Sequence, residues 1–193
     1  MTQDTDQTHR SRYGTVHERA DGYHLRFERH LLHPVERVWA ALTDPARLAQ
    51  WLAPGAIALT VGGRVSLAFT DGDGVIDGRV TAIAPPRLLE FTWTDKDDDL
   101  GFVRWELMAE AGGTRLVLTH TIPEASRAFG LPALAGWHTL LEQLVALLDG
   151  QPLPLSGERW QEFHDHYARA GVMGARPGKE GDNSDDEAQD RDT

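Results

Sequence analysis

The sequence predicts an α+β fold in which a curved antiparallel sheet wraps around a long C-terminal helix, with two short helices after the first strands. Three observations support this fold class. Two alternating segments precede two short helical patterns, a series of alternating segments joined by short turns follows, and residues 133–148 form the longest helical pattern. Strands connected by short turns pair antiparallel, and a long helix with a wide apolar arc packs deeply against such a sheet.

The first two strands are predicted to form a hairpin. Two short alternating runs, 15–18 and 23–27, flank Asp21-Gly22, a dipeptide typical of hairpin turns. Apolar and polar residues alternate in the second run, so this strand buries one face and exposes the other.

The two short helices follow from a change of period. Pro34 is predicted as the first residue of one helix, because its fixed φ suits that position. Asp44-Pro45 restarts the chain as the N-cap and first turn of the next helix. The apolar residues at helical spacing are Val35, Val38, Trp39 and Leu42 in the first helix, and Leu48, Trp51 and Leu52 in the second.

The middle of the chain is predicted to be an antiparallel meander. Apolar residues alternate with polar ones throughout, and Gly62-Gly63 interrupts the first segment as a turn or bulge. The predicted strands cover residues 59–69, 75–84, 89–94, 103–107 and 115–120.

The long helix, predicted over 133–148, has a wide apolar arc with Trp137 near its centre. His138 falls at the edge of the arc, where we interpret it as a border pair with Glu142, four residues on. A cavity role for His138 would need a slight rotation of the helix. The residues predicted opposite the arc are Thr139, Glu142 and Gln143.

Composition excludes several function classes. The net charge of −11 disfavours a nucleic-acid binder, which needs clustered Lys and Arg. The absence of cysteine excludes disulfides, thiolate metal sites and cysteine nucleophiles. No signal pattern is visible and no apolar run approaches a membrane span, so a cytoplasmic location is expected.

Both ends of the chain are predicted to be disordered. Residues 177–193 hold seven acids and two bases, contribute five of the net negative charges and contain no large apolar residue. We expect residues 1–12 to be a disordered N-terminal segment and residues 174–193 to be an acidic disordered tail. A solvating role is expected for that tail, and an acidic interaction segment is the alternative.

No catalytic motif or metal site is predicted. The sequence contains neither H-E-x-x-H nor G-x-S-x-G nor a phosphate-binding loop. The run 71–74 is interpreted as a hairpin turn, since Val75 stands where a calcium loop requires an oxygen ligand. His164 and His166 diverge if they lie on a helix, because positions i and i+2 face different ways.

Several motifs together resemble one known superfamily. The chain from about Gly22 to Gln151 is similar to START-like (SRPBCC) proteins and, among them, to the activator of Hsp90 ATPase homologue domain. This resemblance implies a helix-grip (START/Bet v1-like) domain, which we place at 13–152. The pattern of residues 157–170 independently predicts an additional helix within 153–173, with Trp160, Phe163 and Tyr167 as its apolar stripe. The segments that carry the resemblance are 26–52, 61–64, 84–93, 112–116, 118–120 and 135–138.

The leading functional hypothesis is a protein that holds a hydrophobic or aromatic small molecule between sheet and helix, without a cofactor. His120 is interpreted as a buried histidine bonded to a backbone group, or else as a polar anchor for the ligand. Trp51 and Phe129 are the candidates for the entrance. The candidate ligand-binding residues are Trp51, Phe69, Trp93, Trp105, His120, Phe129, Trp137 and Leu141.

Two alternatives stay open. The resemblance also covers polyketide cyclase- and hydrolase-like enzymes, in which His120 would act as a general acid or base. It equally covers interaction modules, for which an Hsp90-type chaperone would be the partner. The sequence leaves both a monomer and a homodimer open, and it does not name the ligand.

Overall fold

A computed structural model of the chain describes residues 12–69, 74–96, 98–154 and 156–173. It confirms the predicted fold class: these residues form one antiparallel sheet of eight strands, in the order β1-β2-β8-β7-β6-β5-β4-β3. The strands are β1 Thr15–Arg19, β2 Gly22–Leu31, β3 Gly55–Ile57, β4 Arg64–Ala68, β5 Val75–Ala84, β6 Leu88–Asp95, β7 Asp98–Glu110 and β8 Gly113–Ile122.

The hairpin of β1 and β2 forms where Asp21-Gly22 predicts it, with Arg19 paired to Gly22. Gly22 has a φ of 128°, and a Cβ there would lie 2.2 Å from the carbonyl oxygen of Ile122 in β8. Only glycine allows this close approach, which brings β2 alongside β8.

The described residues also form four α-helices and one 3₁₀ helix. Asp44 caps α2 as predicted, since its carboxylate accepts hydrogen bonds from the amides of Ala46 and Arg47. Pro34 precedes α1 rather than beginning it, with an extended ψ of 150°. The helices are α1 Val35–Thr43, α2 Pro45–Trp51, the 3₁₀ helix Glu124–Phe129, α3 Gly130–Leu148 and α4 Gly157–Arg169.

Helix α3 is the core helix. By length and composition alone the stretch Glu124–Leu148 would suffice to cross a membrane, with a mean hydropathy of 1.2. The prediction that no apolar run approaches a membrane span is not contradicted by this finding, because a buried core helix meets the same two criteria. In the fold, 56% of the apolar 18-residue window within this stretch is buried, as expected of a helix gripped by a sheet.

Two details of the predicted elements are wrong. Leu59 and Val61 were expected in a strand, but they lie exposed in the connection between β3 and β4. The face of α3 expected to be polar and exposed is covered by α4, so Thr139 and Gln143 are buried. The apolar periodicity of α3 cannot predict this burial, because it does not reveal that a second helix packs on the opposite face.

Some predictions lie outside the described residues. They are the disorder of residues 1–11 and of the acidic tail 174–193, and the hairpin turn predicted at 71–74, of which Gly74 alone is described. Arg12 is described, and its guanidinium donates a hydrogen bond to the carboxylate of Glu142.

Candidate functional site

A cavity of about 580 Å³ lies between α3, α2 and the sheet. Five residues chosen from the sequence line it: Trp51, Phe69, Trp93, Phe129 and Trp137. Most of the remaining wall is apolar. It is formed by Ala49, Leu52, Ala53, Pro54, Ala68, Ile76, Leu100, Pro132, Ala133, Gly136, Leu140 and Gly157, with Gln50, Asp95, Thr139, Ser156 and Trp160 as the more polar members.

Four tryptophans form a continuous aromatic cluster beside the cavity. Trp51 contacts Trp105 edge-on at 6.0 Å between ring centroids, and Trp105 contacts Trp137 at 5.5 Å. Trp137 in turn contacts Trp93 at 5.0 Å, and Phe69 extends the cluster to the far wall. All four indoles are at most 5% exposed, so this side of the cavity is a buried apolar layer.

Trp51 is part of this wall. Its indole Nε1 donates a hydrogen bond to the carbonyl oxygen of Ala41 at 2.9 Å, and the side chain is 2% exposed. Phe129, at the end of the 3₁₀ helix, is only partly buried. Of the two candidates for the entrance, Phe129 is therefore the more accessible.

Three of the predicted ligand-binding residues are not brought to the cavity lining: Trp105, His120 and Leu141. All three are buried behind it. Trp105 supports Trp51 and Trp137 from the sheet side, while His120 contacts Trp93, Phe129 and Trp137. Strand alternation identifies inward-facing residues, but it does not distinguish the cavity surface from the layer beneath it.

His120 is a buried histidine bonded to a backbone group, as the first interpretation expected. Its Nε2 lies 2.9 Å from the carbonyl oxygen of Leu100, and its Nδ1 accepts a hydrogen bond of 2.9 Å from Nε1 of Trp137. Nε2 must therefore carry the proton and donate it to Leu100. Burial lowers the pKa of His120 to about 4, so the ring is neutral near pH 7.

His138 departs from its predicted place. It is fully buried, its Nδ1 lies 2.9 Å from the hydroxyl of Tyr167, and its ring stacks on Phe163 at 3.7 Å. Glu142 pairs instead with Arg12 and Arg159. The predicted His138–Glu142 pair is wrong because α4 packs over this face of α3.

Of the cavity residues that were not predicted as ligand-binding from the sequence, three bear on the character of the site: Asp95, Gly136 and Trp160. Asp95 continues the inward alternation of Leu89, Phe91 and Trp93 by one more step, which was the available signal. Trp160 was assigned only to the stripe of the last helix, and Gly136 drew attention only as part of a family motif. Both line the cavity, where α4 approaches α3.

The histidines of α4 point to different neighbours. His164 stacks on Trp160 and His166 stacks on Tyr13. Within the four described ranges, no group of three or more His, Asp or Glu side chains is placed to hold a metal ion.

A curved antiparallel sheet that grips one long helix over a cavity defines the START-like (SRPBCC) helix-grip class. The chain belongs to the Activator of Hsp90 ATPase homolog 1-like protein family, whose model matches residues 32–149. No curated protein matches the sequence.

Solved structures share this fold. CalU16 from Micromonospora echinospora is 26% identical, with a TM-score of 0.67 over 84% of this chain and 96% of its own. The BPP1335 protein from Bordetella parapertussis is 32% identical, with a TM-score of 0.63 over 80% of this chain and 90% of its own. DynU16, a protein of the dynemicin biosynthetic locus, is 30% identical, with a TM-score of 0.59 over 67% of this chain and 48% of its own.

Proposed function

We propose that this protein binds a hydrophobic or aromatic small molecule in the cavity between the sheet and α3. The observation that carries the proposal is the cavity itself: about 580 Å³, lined by four tryptophans and two phenylalanines with few polar groups. That volume and composition are typical of sites for small organic ligands. The likeness to DynU16, from a biosynthetic locus, supports a small-molecule role.

A catalytic use of His120 gains no support from its geometry. Both ring nitrogens are occupied by hydrogen bonds within the fold, and the ring lies behind the cavity wall. A general acid or base must reach the reacting atom within hydrogen-bond distance. His120 would have to break both hydrogen bonds to reach a reacting atom in the cavity. Ligand binding is therefore a better account of this site than catalysis.

The test is a titration of the full chain with a panel of polycyclic aromatics, long-chain lipids and aromatic polyketides, followed by tryptophan fluorescence. Because four indoles line the cavity, a ligand that enters it should change their emission. Gly136→Leu supplies the cavity-filling variant, since a Cβ at Gly136 meets only Trp160 Nε1, at 3.9 Å.

The matched control is Gln161→Leu, which adds the same side chain on the exposed face of α4. We expect Gly136→Leu to weaken binding by about tenfold or more, through lost contact area and steric exclusion, and Gln161→Leu to leave binding unchanged. Equal binding by Gly136→Leu and the wild type, or no response to any compound, would contradict the proposal.

A further inference from the structure

The cavity has an asymmetric charge. Among the described residues that line it, Asp95 alone has an ionisable side chain, and none is Lys, Arg or His. Asp95 ends β6, two residues after Trp93, so both side chains lie on the same face of the strand. A single carboxylate thus stands at one end of an otherwise aromatic and aliphatic cavity.

One oxygen of the Asp95 carboxylate, Oδ1, is buried and has no hydrogen-bond partner among the described residues. The neighbouring Lys96 is exposed, and within the described ranges it donates no hydrogen bond to Oδ1 of Asp95. A buried acceptor left unsatisfied costs stability, and the cost is larger for a charged group. A ligand that brings a donor would recover this free energy on binding.

Gly74 lies directly beside the carboxylate of Asp95 and has no side chain that could pair with it. Gly74, with a φ of 86°, passes so close that a Cβ there would lie 2.7 Å from Oδ1 and 3.0 Å from Oδ2. No side chain at position 74 can therefore supply the missing donor. On the adjoining strand, the paired residue Ile76 is apolar and also lines the cavity.

The aromatic walls suit the same kind of group. Trp93 lies 6.1 Å from Phe69 and 5.0 Å from Trp137 between ring centroids, so several π faces and edges surround the space next to Asp95. Ammonium groups are attracted to indole faces, most strongly where water is excluded. A carboxylate beside indoles therefore favours a cation and disfavours a second carboxylate.

We propose that the ligand of this cavity is a hydrophobic amine, whose aromatic or aliphatic body lies among the tryptophans and whose ammonium group pairs with Asp95. This inference rests on the proposed function and narrows it to one ligand class. The same charge disfavours fatty acids and other anionic lipids, because no described residue of the wall offers their carboxylate a basic side chain beside Asp95.

The test uses three probes that share one ring system and differ in the head group: naphthylmethylamine, naphthylmethanol and naphthoate. Binding of each to the full wild-type chain is measured by tryptophan fluorescence and calorimetry at pH 7. We expect the amine to bind about tenfold more tightly than the alcohol, as for a partly desolvated ion pair, and naphthoate to bind more weakly than both.

Two variants locate the effect. Asp95→Asn should bring the affinities of amine and alcohol together while leaving the alcohol bound, because it removes the charge and keeps the shape. Asp98→Asn is the matched control: it removes one negative charge from the same hairpin, at an exposed residue that does not line the cavity. It should keep the preference for the amine. Thermal melts establish that both variants are folded.

The outcomes separate the two proposals. Equal affinities of amine and alcohol for the wild type, or an amine preference that survives Asp95→Asn, would overturn the inference and leave the proposed function standing. If none of the three probes binds the wild type, and the broader panel also gives no response, both proposals fail together.

Discussion

Trp137 of α3 donates a hydrogen bond from its indole Nε1 to Nδ1 of His120 in β8, over 2.9 Å. The other nitrogen of the same imidazole, Nε2, bonds to the carbonyl oxygen of Leu100 in β7. One buried histidine thereby joins the core helix to two neighbouring strands. Because each nitrogen has a distinct role, the arrangement requires the neutral ring and specifies its tautomer.

The stability of the fold should therefore depend on pH through its buried histidines. Burial lowers the pKa of His120 from 6.5 to about 4 and that of His138 to about 3. Between these values and 6.5 the unfolded chain binds more protons, so stability is full above pH 6.5 and is lost as pH falls. We expect each histidine to contribute up to about 1.4 kcal/mol per pH unit in that window.

Urea unfolding between pH 7.5 and 4.5 measures this slope. His120→Gln should flatten it, since a glutamine amide has both a donor and an acceptor but does not titrate in this range. His17→Gln, at an exposed position of β1, is the control and should keep the slope of the wild type. A slope in His120→Gln as steep as in the wild type would show that His120 is not the titrating group.

The inward position of His120 was predictable from the sequence, whereas its partners were not. Strand alternation places His120 on the face shared with Leu116 and Leu118, and all three are buried. Its bonds to Trp137 and Leu100 depend on how α3 lies against the sheet, which no local period encodes. For the same reason, the sequence did not distinguish residues that line the cavity from residues buried behind its wall.

The environment of His138 was not predictable for a related reason. The 3.6-residue period of α3 shows the wide apolar arc, but the opposite face is buried by α4, which begins only after the long helix has ended. The inward position of Asp95 was predictable in principle. Extending the alternation that ends in Trp93 by one step would have placed its carboxylate on the inward face. Asp95 was not selected because a search for alternating apolar residues ends at the last apolar position and omits a polar residue that follows it.

Tyr167 should anchor the start of the chain to α4. Its hydroxyl accepts a hydrogen bond of 2.8 Å from the amide of Gly14 and lies 2.9 Å from Nδ1 of His138. Burial raises the pKa of Tyr167 to about 12, so the hydroxyl keeps its proton at neutral pH. Tyr167→Phe leaves two buried polar groups without a partner, and we expect a loss of about 1–3 kcal/mol in the free energy of unfolding.

Tyr13 provides the matched control. It is a neighbouring tyrosine whose ring stacks on His166 at 4.0 Å and contacts Tyr167 edge-on. Its hydroxyl has no hydrogen bond within the described ranges, so Tyr13→Phe should change the free energy of unfolding by less than about 0.5 kcal/mol. Chemical denaturation of both variants compares them directly, and equal losses would show that ring packing rather than hydrogen bonding dominates.

Glu28 and Arg115 link β2 to β8 across the outer face of the sheet. Arg115 donates from Nε at 2.5 Å and from Nη2 at 3.0 Å, and this pairing lowers the pKa of Glu28 to about 2. The stabilisation is full above pH 4.5 and is lost as pH falls towards 2. Because solvent screens the pair, we expect Glu28→Gln to cost about 1 kcal/mol or less at pH 7, and less in high salt.

The control for Glu28→Gln is the exposed pair of Arg64 and Asp77, which also bridges neighbouring strands. Both of its side chains are more than half exposed, and Asp77→Asn should give no measurable loss. Urea unfolding at low and high salt tests both pairs. A loss in Glu28→Gln that does not respond to salt would assign its effect to packing instead of charge.

Gly136 should be a site of stabilisation that leaves the cavity open. It lies in the interior of α3, where glycine costs roughly 0.5–1 kcal/mol relative to alanine because it loses more backbone entropy on folding. An added Cβ meets only Trp160 Nε1, at 3.9 Å, so the methyl group fits without strain. We expect Gly136→Ala to raise the free energy of unfolding by about that amount, measured by chemical denaturation.

Gly74→Ala is the opposite control: its φ of 86° and the carboxylate of Asp95 at 2.7 Å make the same methyl group destabilising there. If Gly136→Ala destabilised the fold, the wall of the cavity would have to be more tightly packed at α3 than these distances allow.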